Sequence, residues 1–566
     1  MIFATRPHRI LRPLLLALLV FSPLAAHAQG ASPVAPDAGS ILRQIQPATP
    51  ALPSPTGTGL TIEREGGAKL PSSAPFEAKS IRISGNTLFD TPTLHALVAD
   101  AERTQLTLSQ LDELAARITD YYQSRGYPLA RAIIPAQAIR DGVVNIQVIE
   151  ARYGKISLDN RSRVNDPLLQ ATLSPLQSGQ AIGQTELDRS LLLLSDIPGV
   201  VVAATLKPGD SVGTSDLLVN TTPGPTVAGN VVLDDYGNRY TGRARVGGTI
   251  NFIDPLHHGD VLSLNGLSSG RGMNYGRITY ESLLNGQGSR LGGSYSALHY
   301  ILGDPLASLN AHGTARVESL WAKHPLVRSR DANLYGQMQY DQLQLRDHID
   351  ASAIQKDRSL ANWTAILGGD GRDGLLSGAV TAWNVSWTAG RVGYDDAAAQ
   401  LADAATANTQ GGFSRWNASL ARLQGLSQTD TLYFAFSAQW AGDNLDPSQK
   451  MPAGGPYTVR AYDMGAISGD SGYVGSAEFR HNLGTAWHGQ LQAVVFVDSA
   501  HVTVNKNVWV AGTNSATLSG AGIGLNWAGP DQWSARVYIA APFGPIPVLV
   551  ASTASTRAWV EVGKAF

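Results

Sequence analysis

The sequence contains no cysteine, few charged residues and, after its first residues, no hydrophobic run long enough for a transmembrane helix. Cysteine is absent from all 566 positions, and an oxidising compartment permits disulfides without demanding them. Charged residues make up 16% of the chain, whereas a soluble protein carries about 25%. No segment of the mature chain offers about 18 consecutive apolar residues, so a helical membrane span is not expected.

The first 28 residues predict a secretory signal peptide. Three arginines precede a short apolar core at 14–21, and a small-x-small cleavage site ends at Ala28. A membrane anchor is the alternative, but the apolar core is too short to span a bilayer. Cleavage removes three arginines and no acidic residue, which leaves 40 Lys and Arg against 45 Asp and Glu. This acidic balance argues against nucleic acid as a partner.

Glycine is abundant instead, with 59 residues, and the chain also carries 18 Tyr and 11 Trp. In an exported chain with few charges, this composition indicates an outer-membrane β-barrel, because the lipid face excludes charge and aromatics lie at the interfaces. From about Pro225 to Phe566 the side chains alternate with period two, most clearly in TLYFAFSAQW (431–440). At about 20 residues per strand and turn, the region predicts about sixteen strands. An array of soluble β-sandwiches is the alternative and would carry more surface charge.

Two segments separate the signal peptide from the first folded module. Residues 29–46 contain PDAGSILRQIQ, where Ile41, Leu42 and Ile45 form one apolar face of a predicted helix. A nascent helix in a disordered tail is the alternative interpretation. Residues 47–75 are rich in Pro, Ser, Thr and Gly and predict an extended linker.

The region between the linker and the barrel contains one small α/β module twice, at 76–151 and 152–223. The first copy predicts a strand in SIRISGNTLF, a helix around Leu94–Ala101, a second helix that begins with the capping box Thr107-x-x-Gln110, and a hairpin in ARAIIP and VVNIQVIE. The second copy repeats this order with a steady offset: Asn86 aligns with Asn160 and Gly126 with Gly199. The repeat predicts tandem domains.

Alternation in the strand QLQAVVFVD (490–498) places Asp498 on the lumen side of the barrel, and alternation in GSAEFR places Glu478 there as well. A loop arginine, Arg460, precedes these strands in GGPYTVRAY. If its loop folds into the lumen, the guanidinium can form a bidentate bond to a carboxylate, for which Asp498 is the candidate. An exposed loop arginine in water is the alternative.

Signal peptide, short helix, Pro-rich linker, two repeated modules and a sixteen-stranded barrel together resemble the TpsB transporters of two-partner secretion. This is the hemolysin-activator and filamentous-hemagglutinin-transporter family, in the superfamily of the barrel-assembly insertases. The motifs stand here as GGPYTVRAY (454–462), SGDSG (468–472) and FVD (496–498). The resemblance implies that the loop around 441–471 folds into the barrel at 224–566. It implies a loop motif formed by Val459, Arg460, Ala461 and Tyr462. The partner on the barrel wall is formed by Phe496 and Asp498. A secondary motif contains Gly469, Asp470, Gly472 and Glu478.

By this resemblance Arg460 docks on Asp498 beside Phe496, and Tyr462 closes the tip. Ala461 departs from the family pattern, which often has glycine at this position, and this puts the geometry of the loop tip in question. The modules resemble two POTRA domains in the periplasm, and the helix with Ile41, Leu42 and Ile45 resembles a plug helix.

The resemblance also implies a function without an enzyme activity, a cofactor or a metal. The chain is expected in the outer membrane, where it exports a large unfolded exoprotein such as an adhesin, hemolysin or toxin. Outer-membrane lipids are expected partners, and so is the barrel-assembly machinery, for which the terminal aromatic Phe566 is the signal. An insertase of the same superfamily is the alternative, although that class usually carries more POTRA copies and lacks the plug helix. An enzyme on a barrel would need a Ser/His pair that the sequence does not place.

Three further motifs favour structural roles. Gly266–Gly270 matches G-x-S-x-G, but a strand follows where the nucleophile elbow needs a helix. His257-His258 lacks a third metal ligand at suitable spacing. The acidic segment 393–413 is expected to be an extracellular loop with a helical turn, in which ligand coordination by carboxylates is the alternative: Asp395, Asp396 and Asp403.

Overall fold

The computed structural model describes residues 35–45, 52, 57–63, 73–550 and 554–566. The predicted signal peptide and most of the predicted linker lie outside these ranges. Helix α1 (Ala38–Gln44) begins after Asp37, whose carboxylate accepts a hydrogen bond from the Ser40 N–H, while the Ser40 hydroxyl accepts one from the Asp37 N–H. This capping box satisfies N–H groups that a helix start leaves free. Strand β1 (Leu60–Ile62) follows.

The first module contains, in chain order, β2 (Phe76–Ala78), β3 (Ser80–Ser84), α2 (Thr91–Ala96), β4 (Thr104–Leu106), α3 (Leu108–Ser124), β5 (Arg131–Ile133) and β6 (Val143–Ile149). Strand β6 pairs in parallel with β3 and antiparallel with β5, so the predicted hairpin is confirmed. The capping box of Thr107 and Gln110 at the start of α3 is also confirmed. The predicted bounds of the preceding helix are wrong. It begins at Thr91 because Pro92 suits a first helical turn, and it ends at Ala96.

The second module repeats the first with β7 (Arg152–Asn160), α4 (Asp166–Leu173), α5 (Gln184–Ser195), β8 (Val200–Pro208) and β9 (Thr214–Pro223). Strand β9 pairs in parallel with β7 and antiparallel with β8. Asn86 and Asn160 make the same local contact, since each side-chain amide donates to a carbonyl three or four residues ahead. Gly126 and Gly199 adopt φ values of +90° and +82°. The sequence repeat therefore corresponds to two copies of one fold.

The remaining chain forms a closed antiparallel barrel of sixteen strands, as predicted. The strands are β10 (Val227–Asp234), β11 (Arg245–Ile253), β12 (Val261–Ser268), β13 (Met273–Leu283), β14 (Arg290–Ile301), β15 (Ala311–Arg328), β16 (Ala332–Ile349), β17 (Ile354–Asp373), β18 (Ala379–Tyr394), β19 (Gly411–Gly425), β20 (Asp430–Ala441), β23 (Ser471–Ala486), β24 (Gly489–Thr503), β25 (Ser515–Ala528), β26 (Trp533–Pro542) and β27 (Arg557–Ala565). Helix α6 (Ala397–Ala404) lies between β18 and β19, and the short pair β21 (Met451–Ala453) and β22 (Ile467–Gly469) lies between β20 and β23. Strands β10 and β27 close the barrel.

The two faces of the wall differ as the alternation predicts. On β24, Val495 and Val497 are exposed on the outer face, whereas Phe496 and Asp498 are buried inside. Large apolar side chains cover the outer face, and the lumen face carries polar and charged groups, which is the pattern of a barrel embedded in lipid. In the described ranges, no helix has both the length and the hydropathy of a membrane-spanning helix.

The second module rests on the end of the barrel that carries Phe566, which we call the proximal end; the opposite end is the distal end. Asp196, just after α5, accepts bonds from Arg328 Nε and Nη2 at 2.6 and 2.7 Å. Arg290 donates to the Asp196 backbone oxygen at 2.6 Å. Both arginines belong to proximal strand ends, so the module is held against the mouth of the barrel.

Candidate functional site in the barrel lumen

The connection between β20 and β23, residues 442–470, turns back from the distal end into the lumen, and we call it the returning loop. Strands β21 and β22 pair antiparallel, which makes the segment between them the tip of a hairpin. Gly454, Gly455 and Gly465 have φ values of +100°, +108° and +65°, where a side chain would be strained. Glycines thus form both ends of the tip, and Arg460 lies between them.

Arg460 is buried against the barrel wall and binds Asp498 through three hydrogen bonds. Its Nε and Nη2 donate to the two carboxylate oxygens at 2.9 and 2.7 Å, and its backbone N–H donates to Oδ2 at 3.0 Å. The side chains are 5% and 0% exposed. This bidentate arrangement matches the planar guanidinium to the planar carboxylate, which gives direction as well as strength.

A second carboxylate balances the charge. Arg460 Nη1 donates to Glu478 Oε1 at 2.6 Å, and the other oxygen of Glu478 accepts two bonds from Arg480 at 2.8 and 2.6 Å. Ser476 accepts from Arg460 Nη2 at 2.9 Å and donates to Asp498 at 2.8 Å. Two arginines therefore face two carboxylates, and the buried cluster is neutral. Removing one member would leave a buried charge unpaired, which is strongly destabilising.

Aromatic rings enclose the same guanidinium. Arg460 Cζ lies 3.4 Å from the centroid of the Phe496 ring and 5.3 Å from that of Tyr538. The Trp559 indole N–H donates to the Arg460 backbone oxygen at 2.7 Å. Cation–π contacts gain strength when water is excluded. Four strands, β23, β24, β26 and β27, thus converge on one residue of the loop tip.

Ala461, the departure from the family pattern, is accommodated by the wall. Its φ is not in the positive region, so the position does not require glycine. A Cβ added to Gly520 on β25 would come within 2.3 Å of the Ala461 Cβ. The glycine that this close contact requires is therefore Gly520 on the wall. The Ala461 methyl group occupies the space that a side chain at Gly520 would fill.

The other tip residues supply apolar burial. Val459 and Tyr462 are 0% and 2% exposed, and both belong to a cluster that includes Phe496 and Leu518 from the wall. Burying one valine side chain stabilises a docked loop by about 1.5–3 kcal/mol. The tip is therefore held by packing as well as by charge.

Asp470 anchors the base of the returning loop. Its carboxylate accepts bonds from the N–H groups of Leu445 and Lys506 at 3.1 and 2.8 Å and pairs with the Lys450 ammonium at 2.7 Å. Two glycines beside it allow close backbone approach. A Cβ added to Gly469 would lie 2.5 Å from the Thr503 oxygen, and one added to Gly472 would lie 2.4 Å from the His501 oxygen. The secondary motif therefore fixes where the loop leaves the wall.

Helix α1 lies inside the barrel, between the wall and the returning loop. Ile41 and Leu42 are buried in a cluster with side chains of β14–β17, and Ile45 is partly buried against it. On the loop side, a Cβ added to Gly39 would lie 2.7 Å from the Ser448 nitrogen. At the C-terminal end, Gln44 accepts a bond from Asn238 at 2.9 Å. The helix thus contacts both the fixed wall and the loop that enters the lumen.

A second buried arginine, Arg358 on β17, joins these three elements, and the sequence interpretation missed it. Arg358 is fully buried, and its three nitrogens donate to three carboxylates. Nε binds Asp446 of the returning loop at 2.5 Å, Nη1 binds Asp347 of the wall at 2.6 Å and Nη2 binds Asp37 at the start of α1 at 2.6 Å. Its inward position on an alternating strand was the available signal, but nothing in the sequence pointed to its partners.

The carboxylates around Arg358 have further donors. Asp347 Oδ1 accepts from the Ala38 N–H at 2.7 Å and from the Tyr300 hydroxyl at 2.6 Å. Asp446 Oδ1 accepts from the Ser448 N–H at 2.8 Å. One guanidinium nevertheless faces three carboxylates. The Lys356 ammonium acts on Asp37 as a second cation, so the acids still outnumber the cations, unlike in the cluster around Arg460.

Outside the lumen, strand β1 occupies an edge of the second module. It pairs in parallel with β8, with Leu60 opposite Ala204 and Ile62 opposite Leu206, and the sheet order is β1-β8-β9-β7. A segment from the predicted linker therefore forms the fourth strand of this sheet. The edge of β8 accepts an extended chain through backbone hydrogen bonds.

The remaining sequence motifs have structural roles. Gly266–Gly270 spans the end of β12 and the turn into β13. The His257 backbone oxygen accepts two bonds from Asn165, at 3.1 and 2.8 Å, where the second module meets the barrel. Within the described ranges, no group of three or more His, Cys, Asp or Glu side chains is placed to hold a metal ion.

The acidic distal connection uses its carboxylates locally. Asp396 caps α6 by accepting from the Ala399 N–H at 3.0 Å. Asp403 accepts from the Thr409 hydroxyl and the Gln410 N–H at 2.8 and 2.9 Å. These contacts stabilise the connection itself.

Comparison with known proteins agrees with this architecture. The family model described as haemolysin secretion/activation protein ShlB/FhaC/HecB matches residues 213–527, and a ShlB-type POTRA domain model matches residues 76–151. The heme/hemopexin transporter protein HuxB of Haemophilus influenzae is 27% identical over 517 residues, which cover 90% of this chain and 91% of that protein. The outer membrane transporter CdiB of Escherichia coli is 23% identical over 502 residues, 83% of this chain and 82% of that protein.

Solved structures share the fold. CdiB from Escherichia coli superimposes with a TM-score of 0.69 at 21% identity, over 89% of this chain and 93% of that one. BamA from Haemophilus ducreyi, lacking POTRA domains 1–3, gives a TM-score of 0.52 at 16% identity, over 87% of this chain and 100% of that one. The chain belongs to the ShlB/FhaC/HecB family of outer-membrane transporters, the TpsB proteins of two-partner secretion.

Proposed function

We propose that this outer-membrane transporter captures one large unfolded exoprotein in the periplasm and passes it through the barrel, which α1 and the returning loop occlude at rest. The observation that carries the proposal is the occupied lumen. Neither α1 nor the returning loop belongs to the wall, yet both are packed inside it and joined through Arg358. A pore whose obstruction is held by a few directed contacts can be opened by a ligand that breaks them.

Client capture is proposed to occur by strand addition to the second module. The pairing of β1 with β8 supports this, because the edge already accepts an extended segment in parallel. Strand addition uses backbone hydrogen bonds, so it demands little of the client sequence and suits an unfolded chain. A client that competes for the edge would displace β1, the segment that follows α1.

The client is proposed to be of the adhesin, hemolysin or toxin type, exported without an enzyme activity or a cofactor of the transporter. The names of the relatives support this class: they include a heme/hemopexin transporter, CdiB and a hemolysin transporter. No energy source is needed on the periplasmic side, because folding of the client outside the cell draws it forward.

Insertion of the transporter itself is proposed to use the barrel-assembly machinery. Phe566 follows the last residue of the closing strand β27, is 54% exposed and exchanges two backbone hydrogen bonds with Gly229 on β10. A terminal aromatic strand at the seam is a suitable recognition element. Phe566→Ser should reduce the amount of folded transporter in the membrane without changing the export rate per folded molecule.

The test of the export function begins with the neighbouring reading frame: a very large exported protein encoded there would be co-expressed with this chain and measured in the medium. Export that depends on this chain supports the proposal. A defect in the assembly of unrelated outer-membrane barrels on depletion, with export unchanged, would instead establish the insertase alternative.

A further inference from the structure

Strands β15, β16 and β17 are longer than a membrane crossing requires. They contain 18, 18 and 20 residues, whereas a tilted strand crosses the hydrocarbon in about 9–11. At the middle of β16 and β17, Tyr340 and Trp363 are cross-strand partners with ring centroids 5.1 Å apart, so the proximal half of each strand has the length of one membrane crossing. Such rings lie at the level of the lipid head groups. The residues between this aromatic pair and the distal strand ends therefore lie beside the head groups of the outer leaflet.

Beyond the aromatic pair the outer face becomes polar. Arg316 and Glu318 on β15 share the face of Leu320, which is 56% exposed, and Arg346 on β16 shares the face of Met338, which is 50% exposed. Residues two apart on a strand point to the same side. The Arg346 side chain is itself 58% exposed. Both guanidinium groups therefore point away from the lumen.

Strand register brings these groups together. Arg316 lies opposite Gln344, and Thr314 lies opposite Arg346, so the two arginines are diagonal neighbours about 7–8 Å apart. On the other side of β15, His299 also lies opposite Thr314 and is the second diagonal neighbour of Arg316. Two cations, an imidazole and an amide thus surround one point of the outer wall.

Two carboxylates share this surface and leave Arg316 available. Asp357 approaches Arg346 at 3.9 Å and His348 at 3.4 Å. Glu318 lies on the membrane side of Arg316. Among the residues that the structure describes, Arg316 makes no hydrogen bond or ion pair. An exposed arginine that lies beside the lipid head groups and has no protein partner can donate its guanidinium hydrogen bonds to an external anion.

The opposite wall lacks this arrangement. Outward positions in the distal halves of β24–β27 are serine, threonine, alanine and aliphatic residues, with one histidine, His501. No arginine or lysine occupies these described positions. The basic surface is therefore a local feature and not a belt around the barrel.

We propose that Arg316 and Arg346, with Gln344 and His299 beside them, bind the phosphorylated sugar head group of an outer-leaflet glycolipid. Guanidinium forks bind phosphate oxygens bidentately, while the amide and imidazole suit sugar hydroxyls. The lipid would hold the wall formed by β15–β17, the strands that carry Asp347 and Arg358, against the membrane. The inference rests on the outer-membrane location and is independent of the export proposal.

The test is binding of lipid A to the purified full-length transporter in neutral detergent, measured by native mass spectrometry. The double variant Arg316→Gln/Arg346→Gln removes both phosphate donors from an exposed surface. The matched control is Arg422→Gln, an arginine on the outward face of β19 towards the proximal end, where it pairs with Asp373. Loss of one charge-assisted contact lowers affinity about tenfold or more, so the double variant should bind at least tenfold more weakly and the control within twofold of the unmodified protein.

Further arms separate the sources of the anion. Dephosphorylated lipid A should bind the unmodified protein as weakly as lipid A binds the double variant. Equal binding of lipid A by the double variant and the unmodified protein would overturn the site. Full competition by millimolar inorganic phosphate would overturn the lipid assignment, and equally tight binding of phosphatidylglycerol would overturn the sugar component. Heat-modifiable gel migration verifies that each variant remains a folded barrel.

Discussion

The lumen contains two buried arginines that hold chain elements against the same wall, and their charge surroundings differ. Arg460 belongs to the returning loop and faces wall carboxylates in a neutral cluster of two arginines and two acids. Arg358 belongs to the wall and faces three carboxylates, of which one comes from α1, one from the returning loop and one from the wall. Neutral charge pairing and contact with aromatic rings favour permanent binding of the loop tip at Arg460. Excess negative charge around Arg358 favours release of one of its partners.

The difference predicts which element moves. If α1 leaves, Asp37 leaves with it, and Arg358 keeps two carboxylates, which lowers the repulsion among like charges. If the loop tip leaves, Asp498 and Glu478 lose the Arg460 guanidinium and become unbalanced inside the barrel. We therefore expect α1 to be the mobile obstruction and the loop tip to be the fixed one.

The largest effect is expected for Arg460→Ala. The variant leaves buried carboxylates unpaired, a cost of about 3–5 kcal/mol to the docked loop, and should abolish or strongly reduce export while the barrel remains inserted. Exported client in the medium and heat-modifiable migration of the transporter measure the two properties. Asp498→Asn should have the same effect, and the double variant should be no worse than either single one. Additive losses would show that the two residues act separately.

A large effect in the opposite direction is expected at the other cluster. Deletion of residues 37–46 should raise single-channel conductance in planar bilayers, because it removes the helix from the lumen. Asp37→Asn breaks one charge-assisted bond worth about 1.5–3 kcal/mol but also relieves repulsion from the other two carboxylates, so the open fraction should rise by at most about a hundredfold. Arg43→Gln is the matched control on the same helix, since among the described residues Arg43 makes a single 3.4 Å bond, to the Lys450 backbone oxygen. Unchanged conductance after the deletion would remove the plug assignment.

A smaller effect is expected at the fit between the loop tip and the wall. Gly520→Ala places a methyl group on the Ala461 Cβ, and such overpacking costs about 1–3 kcal/mol. Export should fall, and the second change Ala461→Gly should restore it by freeing the same space. Protease accessibility of the loop in intact cells reports docking independently of export. Failure of the second change to rescue would show that Ala461 is not the group that Gly520 accommodates.

The smallest effect is expected outside the lumen, at Glu150 near the end of the first module, whose carboxylate also pairs with Arg152 of the second module at 3.3 Å. Burial alone would raise the pKa of its carboxyl, but bonds from the Thr87 hydroxyl, the Leu88 and Thr87 N–H groups and the Tyr122 hydroxyl outweigh burial and lower the pKa. Because the pKa of this carboxyl is lower in the folded state than in the unfolded chain, its ionised form stabilises the junction at pH values above the unfolded-state pKa of about 4.3. This stabilisation is lost as the pH falls through the folded-state pKa.

Hydrogen exchange near Thr87 in the full chain, compared at pH 7 and pH 4, measures this dependence. Glu150→Gln should weaken the junction by about 1–3 kcal/mol at pH 7 and make its stability independent of pH across this range. A junction that is as protected at pH 4 as at pH 7 in the unmodified protein would contradict the linkage.

The barrel could be predicted because it rests on a local pattern, and the Arg460 contact because the loop and wall motifs resemble those of the family. Period-two alternation decides the face of Asp498 and Glu478 without knowledge of the fold, and the loop motif identifies the arginine. The capping box of Thr107 and Gln110 is equally local. The bounds of α2 were missed because Pro92 starts the helix earlier than the apolar spacing indicates.

The Arg358 cluster and the pairing of β1 could not be predicted in this way. Asp37 lies 321 residues from Arg358, and Asp446 lies 88 residues away, on elements whose approach depends on the closed barrel. Strand β1 is three residues long and is specified by backbone pairing, which leaves little trace in side-chain pattern. The contact of Ala461 with Gly520 likewise appears only when strand and loop are placed together.

The pairing of β1 with β8 gives the displaced helix a tether of known length. Fifteen residues separate Gln44 from Leu60, and an extended chain reaches at most about 3.3–3.6 Å per residue, or roughly 50 Å. While β1 holds its place, α1 can descend to the periplasmic mouth and return, but it cannot diffuse away. Once the client has left the edge and β1 has paired again, re-closing is therefore a search within a small volume, independent of the number of transporters in the membrane.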